Sequence, residues 1–197
     1  MIIKTDRYRH RYTVGEMYRV LLAVLPSIRI LKRNRKDESG DAQCVERLML
    51  AVTEVNGCAV CSYAHAKMAL EGGFGEEEVA AFLGGSDTFV KAEEATAILF
   101  AQSYADAAGV LDEEQYARVV AEYGEEKSEV ILAAIRGMMG GNVIGLPYSA
   151  LQSRFKAKVR YTNSSLFYEI GMSLAPLLLI PVALLHHLVR RIVSLFH

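Results

Sequence analysis

Glycine punctuation constrains this chain most. Asn56-Gly57, Gly72-Gly73-Phe74-Gly75 and Gly84-Gly85-Ser86-Asp87 cut it into stretches rich in Ala, Leu, Glu, Met and Arg. Gly and Asn are the residues that most readily end a helix in a left-handed turn. Between the breaks, apolar residues recur at helical rather than alternating spacing, and no run of Val, Ile and Thr alternates with polar residues. The pattern predicts an all-α fold. At 197 residues with 52% apolar and 23% charged, the chain can bury a core and is not disordered.

The individual elements follow. Tyr12 to Arg33 reads as a helix with a kink at Pro26. Asn34 to Asp41 is a polar linker. Ala42 to Val55 is a second helix, and a third runs from about Cys58 to Glu71. Glu76, Glu77 and Glu78 open a short helix, where acids suit the positive end of the dipole. A helix from Lys91 to Ala108 follows, then one capped at Leu111-Asp112 that reaches Tyr123. Glu126 to Lys158 is a long helical stretch, expected to break near Gly140-Gly141-Asn142 and at Pro147. The organisation expected is an N-terminal helix and linker (1–41), a core domain (42–160) and an apolar C-terminal helical extension (161–197).

Charge is unevenly spread around a net of −1. From Met1 to Asp37 there are ten Lys or Arg against three acids; from Glu71 to Glu129, fifteen acids against three bases. The basic stretch holds no nucleic-acid reading module and is expected to be a solvated face. No secretory signal is recognisable at the N-terminus. Three cysteines do not make a disulfide-stapled secreted scaffold, so the expected location is cytoplasmic.

The extension stands apart. Ile170 to Leu185 is sixteen residues without a charge, followed by His186, His187, Arg190 and Arg191. Three readings compete: a helical hairpin packed on the domain or a sister subunit, a peripheral helix in the lipid interface, or a membrane span.

Chemistry concentrates between Asn56 and His65. Cys58 and Cys61 are three apart and Cys61 and His65 four apart, so a helix brings all three to one face. Near a helix start, free N–H groups and the dipole favour thiolate, the form that attacks a peroxide or a disulfide. His65 can accept or relay the proton. Glu46 lies eleven residues before Gly57 and His65 eight after it. At 1.5 Å per residue both sit roughly 12–16 Å from the turn, so they can face each other across an antiparallel pair. A Glu–His hydrogen bond would orient the ring. Other readings stay open: a zinc site with Cys44, His186, His187 or a carboxylate completing the set, or two inert buried cysteines. Spacing alone does not distinguish the roles of the two cysteines.

Glu46, the Asn56-Gly57-Cys58 lead-in, Cys58-x-x-Cys61-x-x-x-His65 and the later Gly72-Gly73 resemble the alkylhydroperoxidase AhpD-like core of the carboxymuconolactone decarboxylase superfamily. The resemblance covers about Ala42 to Arg160. It implies an all-helical homo-oligomer with peroxidase or disulfide-reductase activity, an antioxidant oxidoreductase needing no bound cofactor. It implies Cys61 as the peroxidatic thiol, Cys58 as the resolving one, and Glu46 and His65 as proton relay. The partners implied are a hydroperoxide substrate and a thioredoxin-like or lipoyl-type dithiol reductant. Val60 stands where reductase members often carry His. The competing expectations are a lactone decarboxylase, whose chemistry does not use the CxxC pair, and a non-enzymatic helical or membrane-associated assembly with redox-sensing thiols.

Overall fold

A computed structural model describes residues 7–34, 42–157 and 160–194. Among them the chain is all-α with no strand. In order come α1 (Val14–Asn34), α2 (Ala42–Asn56), α3 (Ala59–Glu71), α4 (Glu76–Leu83), a 3₁₀ turn (Ala92–Glu94), α5 (Ala95–Asp106), α6 (Glu113–Tyr123), α7 (Glu125–Gln152), a π turn (Ser153–Ala157) and α8 (Leu166–Val193). The expected linker lies, apart from Asn34, outside the described residues.

α7 is the axle: α1, α2, α3, α5, α6 and α8 all pack on it. Its buried residues Ile135, Met139, Val143 and Leu146 meet Leu48, Leu50 and Val52 of α2 and Met17 of α1 in one continuous core. The breaks expected at Gly140-Gly141-Asn142 and Pro147 do not occur; α7 runs through all four residues. Each glycine costs a helix about 1 kcal/mol, but tertiary contact outweighs that here. A Cβ on Gly140 would fall 2.6 Å from Val24 Cγ2, and one on Gly137 would fall 3.2 Å from Leu31 Cδ1. The glycines let α1 lie close along α7.

The ends of elements follow the sequence signals. Gly57 takes φ +68°, the left-handed conformation that ends α2. The Asp112 side chain accepts from the Glu114 and Gln115 amides and starts α6. The helix expected from Lys91 begins with the 3₁₀ turn before becoming α5.

Among the described residues of the extension, Leu166–Val193 form one continuous helix with Pro176 and Pro181 inside it, not the hairpin among the three readings. Its start is tied to the N-terminal segment. The Asn163 side chain accepts from the Tyr8 amide and donates to the Tyr8 carbonyl, each at 2.9 Å. The Tyr168 hydroxyl donates to the Tyr12 carbonyl at 2.7 Å. Arg154, in the π turn, makes two 2.7 Å bonds to the fully buried Glu169. Burial works to raise that carboxyl, but the guanidinium overrides it and holds Glu169 below its ordinary pKa.

Candidate functional site: the α2–α3 turn against α7

Asn56 sets the geometry. Its buried side chain accepts from the Tyr12 hydroxyl at 2.7 Å and donates to the Val52 carbonyl at 3.1 Å, pinning the end of α2. Gly57 then reverses the chain, and Cys58 becomes the N-cap of α3. Cys61 follows in the first turn. The two sulfurs are joined in a disulfide, with Cα atoms 5.3 Å apart. Cys58 is completely buried, whereas Cys61 keeps 8% of its surface exposed.

The sulfurs press on α7 where it has no side chains. A Cβ at Gly145 would lie 2.7 Å from Cys61 Sγ and 2.8 Å from Cys58 Sγ. Cys61 Sγ sits 3.7 Å from the Gly141 carbonyl, an acceptor for the thiol once the disulfide is reduced. Ser149, one turn beyond Gly145, accepts from the Val60 amide at 3.2 Å. Asn142 meets Thr53 of α2 at 3.4 Å. Gly141, Gly145 and Ser149 thus form a small-residue stripe at i, i+4 and i+8 that seats the start of α3. The sequence predicts a break at Gly140-Gly141-Asn142, and nothing in that expectation links the run to the cysteines. The four-residue spacing of small residues was the available signal.

His65 lies one turn after Cys61, and its Nδ1 is 2.7 Å from Glu46 Oε1. Both side chains are mostly shielded, 16% and 14% exposed. Against a carboxylate, which accepts, Nδ1 is the donor of this contact, and the Nε2 side of the ring is not used by Glu46. All four singled-out residues are therefore brought together: Glu46 from α2, Cys58 at the turn, Cys61 and His65 from α3.

The remaining candidates go elsewhere. Cys44 is buried in the core. His186 Nδ1 bonds the Tyr18 hydroxyl at 2.6 Å, joining α8 to α1. Among the described residues no cluster of three or more His, Cys, Asp or Glu is arranged to hold a metal ion. Glu54 pairs with Arg9 at 2.7 Å. Arg47, which the sequence did not mark, is buried and bonds Glu78 at 2.9 Å and Glu94 at 3.0 Å, locking α2 to α4 and the 3₁₀ turn. The face of α3 turned away from α7 is open. Ala59, Ser62 and Ala66 line a cleft of about 620 Å³ floored by Leu83 and bordered by Arg9 and Glu54.

Residues 29–103 match the model of the carboxymuconolactone decarboxylase family. Members of that family are enzymes, peroxidases or decarboxylases. No curated protein and no solved structure matches the chain. The matched stretch contains Glu46, Cys58, Cys61 and His65, while α7 and α8 lie beyond it.

Proposed function

We propose, on the match of residues 29–103 to the carboxymuconolactone decarboxylase family model, that the protein is a thiol-dependent hydroperoxide reductase of the AhpD-like type. Cys61 as thiolate attacks the outer oxygen of a hydroperoxide. The O–O bond breaks, the sulfur becomes a sulfenic acid, and the alkoxide leaves as alcohol with a proton delivered through His65. The Cys58 thiol then displaces hydroxide from that sulfenic acid, forming the disulfide and releasing water. An external dithiol, thioredoxin-like or lipoyl-type, returns two electrons and two protons by exchange. Glu46 orients the His65 ring and stabilises its charged form. No bound cofactor enters the cycle. Homo-oligomer formation belongs to the same reading.

The observation that carries the proposal is the 2.7 Å Glu46–His65 contact one helical turn from the Cys58–Cys61 pair. A bare structural disulfide has no use for an oriented imidazole on the same helix face. The slightly greater exposure of residue Cys61 than of Cys58 supports Cys61 as the thiol that meets the substrate. A lactone decarboxylase has no use for the pair.

The test is steady-state turnover of cumene hydroperoxide by the full chain with dihydrolipoamide or reduced thioredoxin as electron donor. Peroxide consumption that depends on both cysteines is expected. No consumption with either donor would overturn the proposal.

A further inference from the structure

α8 is apolar on nearly every face that does not touch the bundle. Glu169, Met172, Pro176 and Ala183 form its buried stripe, packed on α1 and α7. Opposite it, Phe167, Leu178 and Leu185 are 89%, 75% and 63% exposed. These three are spaced eleven and seven residues apart, which places them on one line along the helix. Leu174, Leu177, Leu184 and Leu188 flank that line and are also exposed. From Leu174 to Leu185 no side chain carries a nitrogen or oxygen.

Cations stand at both ends of this stripe. Arg11 is exposed and lies over the Tyr168 ring, 4.2 Å from its centroid, at the start of the helix. Arg190 and Arg191 are exposed in its last turn.

We infer that α8 beds sideways into the headgroup–acyl boundary of an anionic bilayer, with the helical bundle standing on it. A protein partner is met by about one hydrogen bond per 100–200 Å² and a polar rim; this stripe offers neither over its middle twelve residues. Lipid tails ask for no hydrogen bonds, and anionic headgroups match the guanidinium groups at the two ends. The orientation follows from packing. α1, with exposed Arg19 and Arg29, packs on α8; Tyr12, two residues before α1, accepts from Tyr168, and Tyr18 of α1 bonds His186. A span would carry those charges into hydrocarbon, whereas an in-plane helix keeps them in water.

The experiment uses the full chain and vesicles of phosphatidylcholine with phosphatidylglycerol. Co-sedimentation of the unmodified protein is expected, weakening with added salt. Leu178→Lys with Leu185→Lys lowers the partition coefficient at least tenfold while peroxide turnover is unchanged. Arg190→Ala with Arg191→Ala lowers binding to the anionic vesicles and leaves the weaker binding to pure phosphatidylcholine unaltered. The chain contains no Trp, so Phe167→Trp, Leu178→Trp and Leu185→Trp each report depth through quenching by brominated lipids. Equal quenching at all three positions is the in-plane result. Deep quenching at position 178 with shallow ends would mean a span and overturn the inference. So would absent vesicle binding, including the case in which the double lysine variant turns a stable dimer into monomer and a second copy proves to be what covers the stripe.

Discussion

α7 and α8 are both long and apolar enough to cross a membrane, yet they are opposite structures. In the most hydrophobic window of the first, 72% of residues are buried inside the protein; in the second, 17% are. α7 is punctuated by Gly137, Gly140, Gly141 and Gly145, and each of the residues Gly137, Gly140 and Gly145 faces something that needs the missing side chain: Leu31, Val24, the Cys58–Cys61 sulfurs. α8 has large apolar residues that stay exposed among the described residues. Composition and length do not separate a core helix from a surface-seeking one. The distribution of small residues does, because close approach of a neighbour leaves its mark as absent Cβ atoms.

The comparison can be broken at several points. The largest effect is expected at the chemistry that α7 supports. His65→Ala should lower peroxide turnover on the order of 10²–10⁴-fold with little change in unfolding temperature, since it removes the proton carrier of the proposed cycle; an equal loss of fold would assign His65 a structural role instead. Next is the anchor of α8. Arg154→Ala removes both bonds to Glu169 and leaves that carboxylate without its guanidinium, so a clear loss of stability in denaturant unfolding is expected. The pair also sets a pH signature. The native carboxyl sits below its ordinary pKa, so its stabilisation is complete above the ordinary carboxylate range. It is lost as pH falls below that range through the lowered native value, and Arg154→Ala should flatten this acid limb of the stability curve. Gly145→Ala comes third. Its methyl would sit under 3 Å from both sulfurs, so overpacking of about 1–3 kcal/mol is expected, together with incomplete disulfide formation in a thiol count. Smallest is Leu178→Lys on the outer face of α8, where thermal unfolding without lipid should change by no more than about 0.5 kcal/mol.

Much of this was legible in the sequence where the signal is local. Asn56-Gly57 ends α2 and turns the chain, so the distance of Glu46 and His65 from that turn foretold their contact. The CxxC and His spacing put three side chains on one face. What escaped was set by tertiary contact. The glycines of α7 read as breaks because propensity charges them about 1 kcal/mol each, and only the seated sulfurs and Val24 show what offsets it. Arg47 is unmarked in the sequence because its partners Glu78 and Glu94 lie 31 and 47 residues away. A hairpin is one of the three sequence readings of the extension, whereas α1 and α7 pack along the buried stripe of a continuous α8.

The central claim is that Cys61 is the atom a hydroperoxide oxidises and Cys58 the one that closes the disulfide. Its most direct measurement is a thiol titration of the reduced chain with a small excess of cumene hydroperoxide, with dimedone trapping of sulfenic acid in the Cys58→Ser and Cys61→Ser variants. The account predicts two thiols lost per chain in the unmodified protein, a trapped sulfenic acid on Cys61 in Cys58→Ser, and none in Cys61→Ser. Unchanged thiols in the unmodified protein, or a Cys61→Ser variant that still yields a sulfenic acid at Cys58, would contradict it.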